Sequence, residues 1–259
     1  MLSLEQIAQQ FPENLRNRDR RILTEYLQYK VLDKIFKCKH SNKLSFLGGT
    51  ALRIVFGITR FSEDLDFDNF NLTEEEFGEI VNEVSTALTL EGYDIETRLV
   101  FKGAFRCYMK FNNVLSANGI TTDKKEKLLI QIDAAPHNFA YKPELKLIGK
   151  LDILTEIFAT PIDILFSQKI LAAFGRKRAK GRDFYDLIYI LGISKKVNYK
   201  YLQAKLEIKN WKELKSYVLK ECDKLDFKDL ARDVQPLLFN SEESKKVRLF
   251  RNYFAGLEL

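Results

Sequence analysis

Cysteine and histidine are scarce in this chain of 259 residues, which holds 3 cysteines and 2 histidines. A Cys/His zinc site needs four such ligands at defined spacings, so the composition argues strongly against one. Cys38, Cys107 and Cys222 are odd in number and far apart, which predicts free thiols in a reduced, cytoplasmic protein. We therefore expect any catalytic chemistry to rest on carboxylates, lysine and arginine.

Long apolar runs are also missing, since none reaches the roughly 18 residues that span a bilayer. The N-terminal segment lacks the apolar core of a signal peptide. With 46% hydrophobic and 30% charged residues and only 5 prolines, the composition is typical of a folded protein. These absences predict a protein with no membrane partner.

Charge is distributed unevenly along the sequence. Acidic and basic residues balance over residues 1–150, so the net charge of +6 resides in residues 151–259. A basic segment attached to a neutral one suggests a polyanionic partner.

The hydrophobic pattern before residue 155 switches between helical and extended periodicity. Helices are predicted at 16–39, at 50–56 and from Thr73 to about residue 90, where Thr73 and the glutamates after it form a capping signature. Strands are predicted at 44–47, 64–68, 93–101, 105–111, 127–134 and 150–159.

The pattern changes at Thr160. With Thr160 as N-cap, Pro161 at the first helical position and Asp163 in the first turn, a helix is predicted to start here. The sequence that follows is helical in character throughout. The predicted fold class is therefore α/β (α+β): an α/β domain with an N-terminal helix over residues 1–155, and a helical domain over residues 156–259.

Three aspartates recur at every second position of the strand predicted at 64–68. Asp64, Asp66 and Asp68 therefore project from one face, while Leu65 and Phe67 face the core. Adjacent carboxylates repel one another unless a cation lies between them, so the triplet is a candidate divalent-metal site. An exposed strand end with an acidic rim explains the triplet equally simply, and the triplet alone favours that interpretation.

A further acid, Asp133, closes an apolar strand whose inward positions are Leu128, Ile130 and Ile132. If this strand lies beside the one that carries the triplet, three acids meet. Such a set can hold two Mg²⁺ ions for an in-line displacement at phosphorus. Taken alone, Asp133 also fits a strand end that faces solvent.

Gly48, Gly49 and Thr50 lie between a predicted strand and a predicted helix, shortly before the acidic triplet. Glycine allows backbone N–H groups to approach a phosphate closely, and a helix N-terminus favours negative charge. A Gly-Gly pair is usually no more than a turn. Its position ahead of an acidic strand makes this one a candidate phosphate-binding loop.

Four segments of the sequence resemble a known family. Residues 46–52 (Phe-Leu-Gly-Gly-Thr-Ala-Leu) and 60–67 (Arg-Phe-Ser-Glu-Asp-Leu-Asp-Phe) are similar to motifs of the AbiEii/AbiGii-type toxin nucleotidyltransferases. Lys169 and residues 182–187 (Arg-Asp-Phe-Tyr-Asp-Leu), which are similar to the family's Arg-Asp-x-x-Asp-Leu signature, continue the resemblance in the same order. That family belongs to the DNA polymerase β-like nucleotidyltransferase superfamily.

The resemblance implies a mixed-sheet nucleotidyltransferase domain followed by a helical domain. It implies a metal-dependent transfer of a nucleotidyl group from an NTP, with GTP among the candidates, to an RNA or protein acceptor. Transfer-RNA 3′ ends are known targets of the family. A toxin role would add a cognate antitoxin protein as a partner in a type IV-like toxin–antitoxin system.

The resemblance also implies roles for individual residues. In that scheme Gly48, Gly49 and Thr50 hold the triphosphate. Asp64 and Asp66 bind Mg²⁺ (or Mn²⁺), and Asp133 joins the metal site and assists the acceptor hydroxyl. Ser62 stands where the family usually has serine, and its hydroxyl either contacts a phosphate or caps the loop.

Lys169 falls in the middle of the apolar stripe of its predicted helix. Lysine is rarely buried without a partner. We therefore interpret Lys169 as a catalytic, nucleotide-binding residue that reaches a β- or γ-phosphate and balances the charge released with pyrophosphate. A lysine that snorkels along the helix surface is the alternative.

Arg182, Asp183 and Asp186 open the next predicted helix, where a helix N-terminus favours acidic side chains. Nucleotide binding and a structural role, such as a cap or an ion pair with Arg182, fit these residues equally well. The preceding residues 176–182 are rich in basic side chains. Such a loop either guides an RNA acceptor through phosphate contacts or is simply solvated.

The sequence thus predicts a Mg²⁺-dependent nucleotidyltransferase. Two alternatives stay open: a nucleotide- or RNA-binding module without transfer activity, and a metal-dependent phosphodiesterase that uses the same carboxylates. Release of pyrophosphate distinguishes the first hypothesis from both alternatives.

Overall fold

The computed structural model describes residues 2–136 and 138–258. The chain divides into two compact units. The sheet unit comprises the residues up to Gly57 together with Phe61–Ala159, and the helical unit comprises Ile58–Arg60 and the residues from Thr160 onward. No helix in the described part of the chain combines the length and hydropathy that crossing a membrane requires.

A seven-stranded mixed sheet is the centre of the sheet unit. Its strands are β1 (Leu44–Leu47), β2 (Leu65–Asn69), β3 (Ile95–Lys102), β4 (Ala104–Phe111), β5 (Leu128–Pro136), β6 (Glu144–Lys150) and β7 (Ile153–Ala159). They lie in the order β3-β4-β5-β2-β1-β7-β6. The β2–β5 and β1–β7 pairs are parallel, and the other neighbours are antiparallel. The mixed sheet confirms the predicted α/β (α+β) class.

The helices of the sheet unit are α1 (Leu4–Gln9), α2 (Asp19–Lys37), α3 (Gly48–Ile54), α4 (Glu74–Leu90) and α5 (Val114–Ala117). A capping box closes the start of α4, because Thr73 accepts from the Glu76 N–H and the Glu76 carboxylate accepts from the Thr73 N–H. The predicted capping signature therefore forms.

One face of the sheet carries the core of this unit. Phe46 on β1 and Phe67 on β2 are register partners and are buried, with ring centroids 5.4 Å apart. Phe36 of α2 packs on the same face, 6.1 Å from the Phe67 ring. Because side chains alternate along a strand, Asp66 and Asp68 of β2 are directed to the opposite face.

The helical unit contains α6 (Ile162–Gly175), α7 (Gly181–Ile193), α8 (Tyr199–Leu206), α9 (Trp211–Cys222), α10 (Phe227–Val234), α11 (Ser244–Arg248) and α12 (Phe250–Ala255). Its core is aromatic: the Phe184 ring lies 5.2 Å from Phe227 and 5.1 Å from Phe250. The segment Ile58–Arg60 joins this unit through a bridge between Arg60 and Leu238.

Three local predictions need correction. The N-cap position of α6 is Pro161 rather than Thr160. Asp133 does not close its strand, because β5 continues to Pro136. Strand β6 was not predicted, since it lies at the sheet edge and has only one deeply buried residue, Ile148, to produce a hydrophobic pattern.

Candidate active site

Strands β2 and β5 bring two of the predicted acids side by side. The parallel register places Asp66 opposite Asp133. Their neighbours Leu65 and Ile132 are also partners and are buried, so both aspartates point to the other face of the sheet. Adjacent strands lie about 4.8 Å apart, which puts these two carboxyl groups in one patch. Asp64 directly precedes β2 and, like the other two acids, is half-buried.

Gly48 allows the main chain to pass very close to Asp66. Strand β1 ends at Leu47, opposite Asp66, and the next residue, Gly48, has φ of +80°. A Cβ atom at position 48 would lie 2.5 Å from Asp66 Oδ2. Both the backbone conformation and the collision therefore require glycine here.

Hydrogen bonds from two helices hold the loop that carries Asp64. The buried hydroxyl of Thr50, in the first turn of α3, donates to the carbonyl oxygen of Asp64. From α2, the buried Gln28 amide donates to the carbonyl oxygens of Ser62 at 3.0 Å and Glu63 at 2.8 Å. The loop before β2 is thus fixed on both sides.

Asp133 has one satisfied and one unsatisfied oxygen. Gln131 Nε2 donates to its Oδ2 at 2.9 Å. Its Oδ1 lies 3.4 Å from Nε of Arg106, the register partner on β4, and accepts no hydrogen bond from the described residues. A buried carboxylate oxygen without a hydrogen bond can accept one from a ligand or contact a cation.

Asp68, the last acid of the triplet, has a different environment. It is buried and accepts a hydrogen bond from the hydroxyl of Tyr141. The Tyr141 ring in turn packs edge-on against Phe70, at a centroid distance of 5.1 Å. These contacts give Asp68 a structural role, which differs from the role predicted for Asp64 and Asp66.

Within residues 2–136 and 138–258, no three Asp, Glu, His or Cys side chains are grouped closely enough to hold a metal ion. Asp64, Asp66 and Asp133 do supply the hard oxygen donors that Mg²⁺ prefers. The register brings Asp66 and Asp133 together, and the unsatisfied Oδ1 of Asp133 leaves one oxygen for a cation. The metal site stays a prediction that donor chemistry and backbone position support.

A separate cluster of buried charges lies within the helical unit. Arg60 donates to both carboxylate oxygens of Asp186, from Nε at 2.6 Å and from Nη2 at 2.7 Å. The Lys169 ammonium lies 2.8 Å from Asp186 Oδ2 and 3.1 Å from Asp183 Oδ1. All four residues are buried, and both aspartates are fully so.

The cluster keeps its charges despite burial. Burial opposes the ionised form of Asp186, but the positive charges of Arg60 and Lys169 outweigh it and hold the pKa of this carboxyl below its ordinary value. Burial likewise disfavours the Lys169 ammonium, and Asp186 and Asp183 overcome it and raise the pKa of Lys169. Each partner thus stabilises the charged form of the other.

These contacts bear on the predictions for α6 and α7. Lys169 is buried as its place in the apolar stripe predicted, and its ammonium is engaged by two carboxylates of its own unit. The ion-pair partners of Asp186 are Arg60 and Lys169, whereas Arg182 is half-exposed. For Asp183 and Asp186 the contacts favour the structural alternative. Nucleotide binding by Lys169, Arg182, Asp183 and Asp186 stays a prediction.

The cysteines take no part in either cluster. Cys38, Cys107 and Cys222 are free and buried. Burial raises the pKa of each thiol to about 12, so the reactive thiolate is negligible near neutral pH.

Several residues with clear roles were missed in the sequence. Arg60 lies within the 60–67 motif, but no role was predicted for it. Its buried partner is distant in sequence, so the sequence alone does not distinguish it from a surface arginine. Arg106 and Gln131, beside Asp133, are equally inconspicuous. Gln28 had a detectable signal, since it is a polar residue between the buried Leu27 and Tyr29 of α2.

Comparison with known proteins gives a family and a fold. The sequence matches the family model described as "Nucleotidyl transferase AbiEii toxin, Type IV TA system" over residues 30–251. No protein of curated function matches the chain.

Two solved structures illustrate the shared fold. The nucleotidyltransferase toxin MenT4 from Mycobacterium tuberculosis aligns with a TM-score of 0.60 and 17% identity, over 100% of this chain and 91% of its own. JHP933 from Helicobacter pylori aligns with a TM-score of 0.58 and 19% identity, over 91% of each chain. At these identities the likeness concerns the fold.

Proposed function

Since the chain belongs to the AbiEii family of nucleotidyltransferase toxins and is a nucleotidyltransferase, we propose that it transfers a nucleoside monophosphate from an NTP to RNA in a reaction that requires a divalent metal ion. The observation that carries this proposal is the placement of Asp66 opposite Asp133 on parallel strands, with Gly48 against the Asp66 carboxylate. A binding module has no need for this crowding of carboxylates.

The reaction is a displacement at the α-phosphorus. A hydroxyl oxygen of the acceptor forms a bond to that phosphorus while the bond to the bridging oxygen of the β-phosphate breaks. Pyrophosphate leaves with the electrons of the broken bond. The Asp133 carboxylate accepts the hydroxyl proton, as the acid that assists the acceptor.

Asp64, Asp66 and Asp133 would hold Mg²⁺ or Mn²⁺. When bound, such an ion neutralises charge on the phosphates and polarises the reacting oxygens. In this proposal Gly48 and Gly49 present main-chain N–H groups to the triphosphate. Thr50 acts through its hydrogen bond to the Asp64 carbonyl oxygen, which holds the acidic loop in place.

Ser62 lies in that same loop, with its carbonyl oxygen fixed by Gln28 and its side chain half-exposed. We propose that its hydroxyl contacts a phosphate of the NTP. Lys169 would contact a phosphate only by leaving Asp183 or Asp186, so its present contacts support a role in ordering the helical unit. Arg182 is half-exposed and is the more accessible cation of the predicted nucleotide-binding set.

We propose that a cognate antitoxin protein is a partner of this chain and counteracts its activity. The description of the family as part of a type IV toxin–antitoxin system supports this proposal. NTP and RNA are both cytoplasmic, so the reaction would take place in the cytoplasm.

The test is pyrophosphate release from each of the four NTPs, with and without total bacterial RNA. The proposal predicts release that depends on RNA, on Mg²⁺ and on Asp64, and that is absent in Asp64→Asn. Glu75→Gln, an exposed change on α4, should behave as the wild type does. Tight NTP binding without pyrophosphate release would support a binding module, and RNA cleavage without NTP would support a phosphodiesterase.

A further inference from the structure

A cavity lined by three cations, and by the acids Glu63 and Asp64, opens at the proposed site. It has a volume of about 330 Å³ and lies within the sheet unit. Its cations are Arg20 and Arg21 from the first turn of α2, together with Lys127 just before β5. It contains Asp64 itself, so a group bound in this cavity would be next to the proposed reaction centre.

Helix α2, which supplies two of these cations, is hydrogen-bonded to the loop that carries Asp64. Arg21, Thr24 and Gln28 recur at helical spacing and therefore share one face of α2. Gln28 binds the carbonyl oxygens of residues 62 and 63, and Arg21 binds the side chain of Glu63 at 2.6 Å. The contacts of Gln28 thus fix the backbone of α2, which carries Arg20 and Arg21, relative to the loop that carries Asp64.

Each of the three cations forms an ion pair with a carboxylate, and another anion can readily replace that carboxylate. Arg20 pairs with Glu126, Arg21 with Glu63 and Lys127 with Glu96. The cationic side chains are 53%, 33% and 36% exposed, respectively. Ion pairs at such exposure contribute little to stability, so a phosphate can replace the carboxylate at little cost.

We propose that Arg20, Arg21 and Lys127 form a subsite that binds phosphodiester groups of the RNA acceptor. This inference rests on the proposed transfer reaction, because the subsite would hold the acceptor of that reaction beside Asp64. Two forked guanidinium groups and an ammonium match the geometry and charge of backbone phosphates. The subsite positions the acceptor and reads no bases.

The test is equilibrium binding of a short, fluorescein-labelled single-stranded RNA without NTP, by fluorescence anisotropy over a range of KCl concentrations. The test protein carries Arg20→Gln, Arg21→Gln and Lys127→Gln. The control carries Lys37→Gln, Lys43→Gln and Lys146→Gln, which remove three ion-paired cations of the same unit that do not line the cavity. Both proteins lose the same net charge.

The expected result is a loss of at least about tenfold in RNA affinity for the test protein only. Its plot of log affinity against log salt should be shallower by about two, since each single-strand phosphate contact contributes about 0.7. Equal affinities and slopes in the test and control proteins would overturn the proposal.

Activity measured in parallel separates this subsite from the transfer reaction. Wild-type protein that binds RNA through these cations but releases no pyrophosphate would overturn the proposed function and leave the subsite standing. Transfer to RNA by the test protein with an unchanged KM for RNA would overturn the subsite and leave the function standing. The KM for NTP should be the same in all three proteins.

Discussion

At the scale of single residues, the contact between Gly48 and Asp66 is the most demanding feature of the candidate site. The distance of 2.5 Å between a built Cβ and Asp66 Oδ2 leaves no room for any side chain. Gly103 has the same φ of +80°, but a Cβ there meets no atom of residues 2–136 and 138–258 within 4 Å. Alanine at position 103 would therefore cause backbone strain alone, whereas alanine at position 48 would cause the same strain and a collision with the carboxylate.

We expect Gly48→Ala to lower transfer activity by at least about 100-fold, because displacement of a catalytic group by about 1 Å costs that much. Gly103→Ala should lose about 1–2 kcal/mol of stability to the same strain and keep its activity. Steady-state kinetics and urea unfolding of both variants provide the measurement. Equal activity in the two variants would show that the Asp66 carboxylate is not needed where the structure places it.

At the scale of elements, the pairing of α6 with α7 depends on the buried charges around Asp186. We expect Asp186→Asn to lower the free energy of unfolding by about 3–5 kcal/mol, because it leaves Arg60 and Lys169 with an uncompensated buried charge. Glu242→Gln is the control, since its pair with Lys245 is 66–68% exposed and should contribute less than about 1 kcal/mol. Chemical denaturation monitors both. Similar losses in the two variants would contradict the account.

The same cluster has a defined pH dependence. The pKa of Asp186 is depressed in the folded state, so its stabilisation is complete above its ordinary value of 3.8 and is lost as pH falls through the lower folded value. The pKa of Lys169 is raised, so its stabilisation is complete below 10.5 and is lost as pH rises through the higher folded value. The contribution of the cluster should therefore be constant between pH 5 and pH 9. The difference in stability between wild type and Asp186→Asn should shrink in strong acid, and also in strong base, where Lys169 loses its proton.

The start of α7 depends on Gly181 for its contact with α10. A Cβ on Gly181 would lie 1.8 Å from the carbonyl oxygen of Leu230, and the Gly181 N–H donates to Asp233 Oδ2 at 2.9 Å. Gly181→Ala should therefore cost at least about 2 kcal/mol of stability. Gly192→Ala, in open space on the same helix, should instead gain up to about 1 kcal/mol. Thermal unfolding measures both effects. A shift of the unfolding temperature in the same direction for Gly181→Ala and Gly192→Ala would contradict this packing.

How much the sequence predicts differs between these elements. Alternation placed Leu65 and Phe67 in the core and their acidic neighbours on the other face, and the structure agrees, because a strand's period of two leaves no other choice. The β2–β5 pairing was only a condition in the sequence argument, since strand order depends on long-range packing. Arg60 illustrates the limit: its partner Asp186 is 126 residues away, and no local pattern connects them.

At the scale of the whole molecule, the account requires a divalent metal ion for activity but not for folding. Hydrogen bonds and apolar packing fix the backbone around Asp64, Asp66 and Asp133. EDTA should therefore abolish transfer, and Mg²⁺ or Mn²⁺ should restore it, while the circular dichroism spectrum stays unchanged. Transfer that persists in EDTA would contradict the assignment of these acids as metal ligands.

The central claim is that the chain moves a nucleotidyl group and not another part of the NTP. Its most direct test compares α-³²P-labelled and γ-³²P-labelled NTPs incubated with RNA and Mg²⁺, using wild-type protein and Asp66→Asn. The account predicts label in RNA from the α-phosphate only, and only with wild-type protein. Label from the γ-phosphate, or α-label of equal intensity with Asp66→Asn, would contradict it.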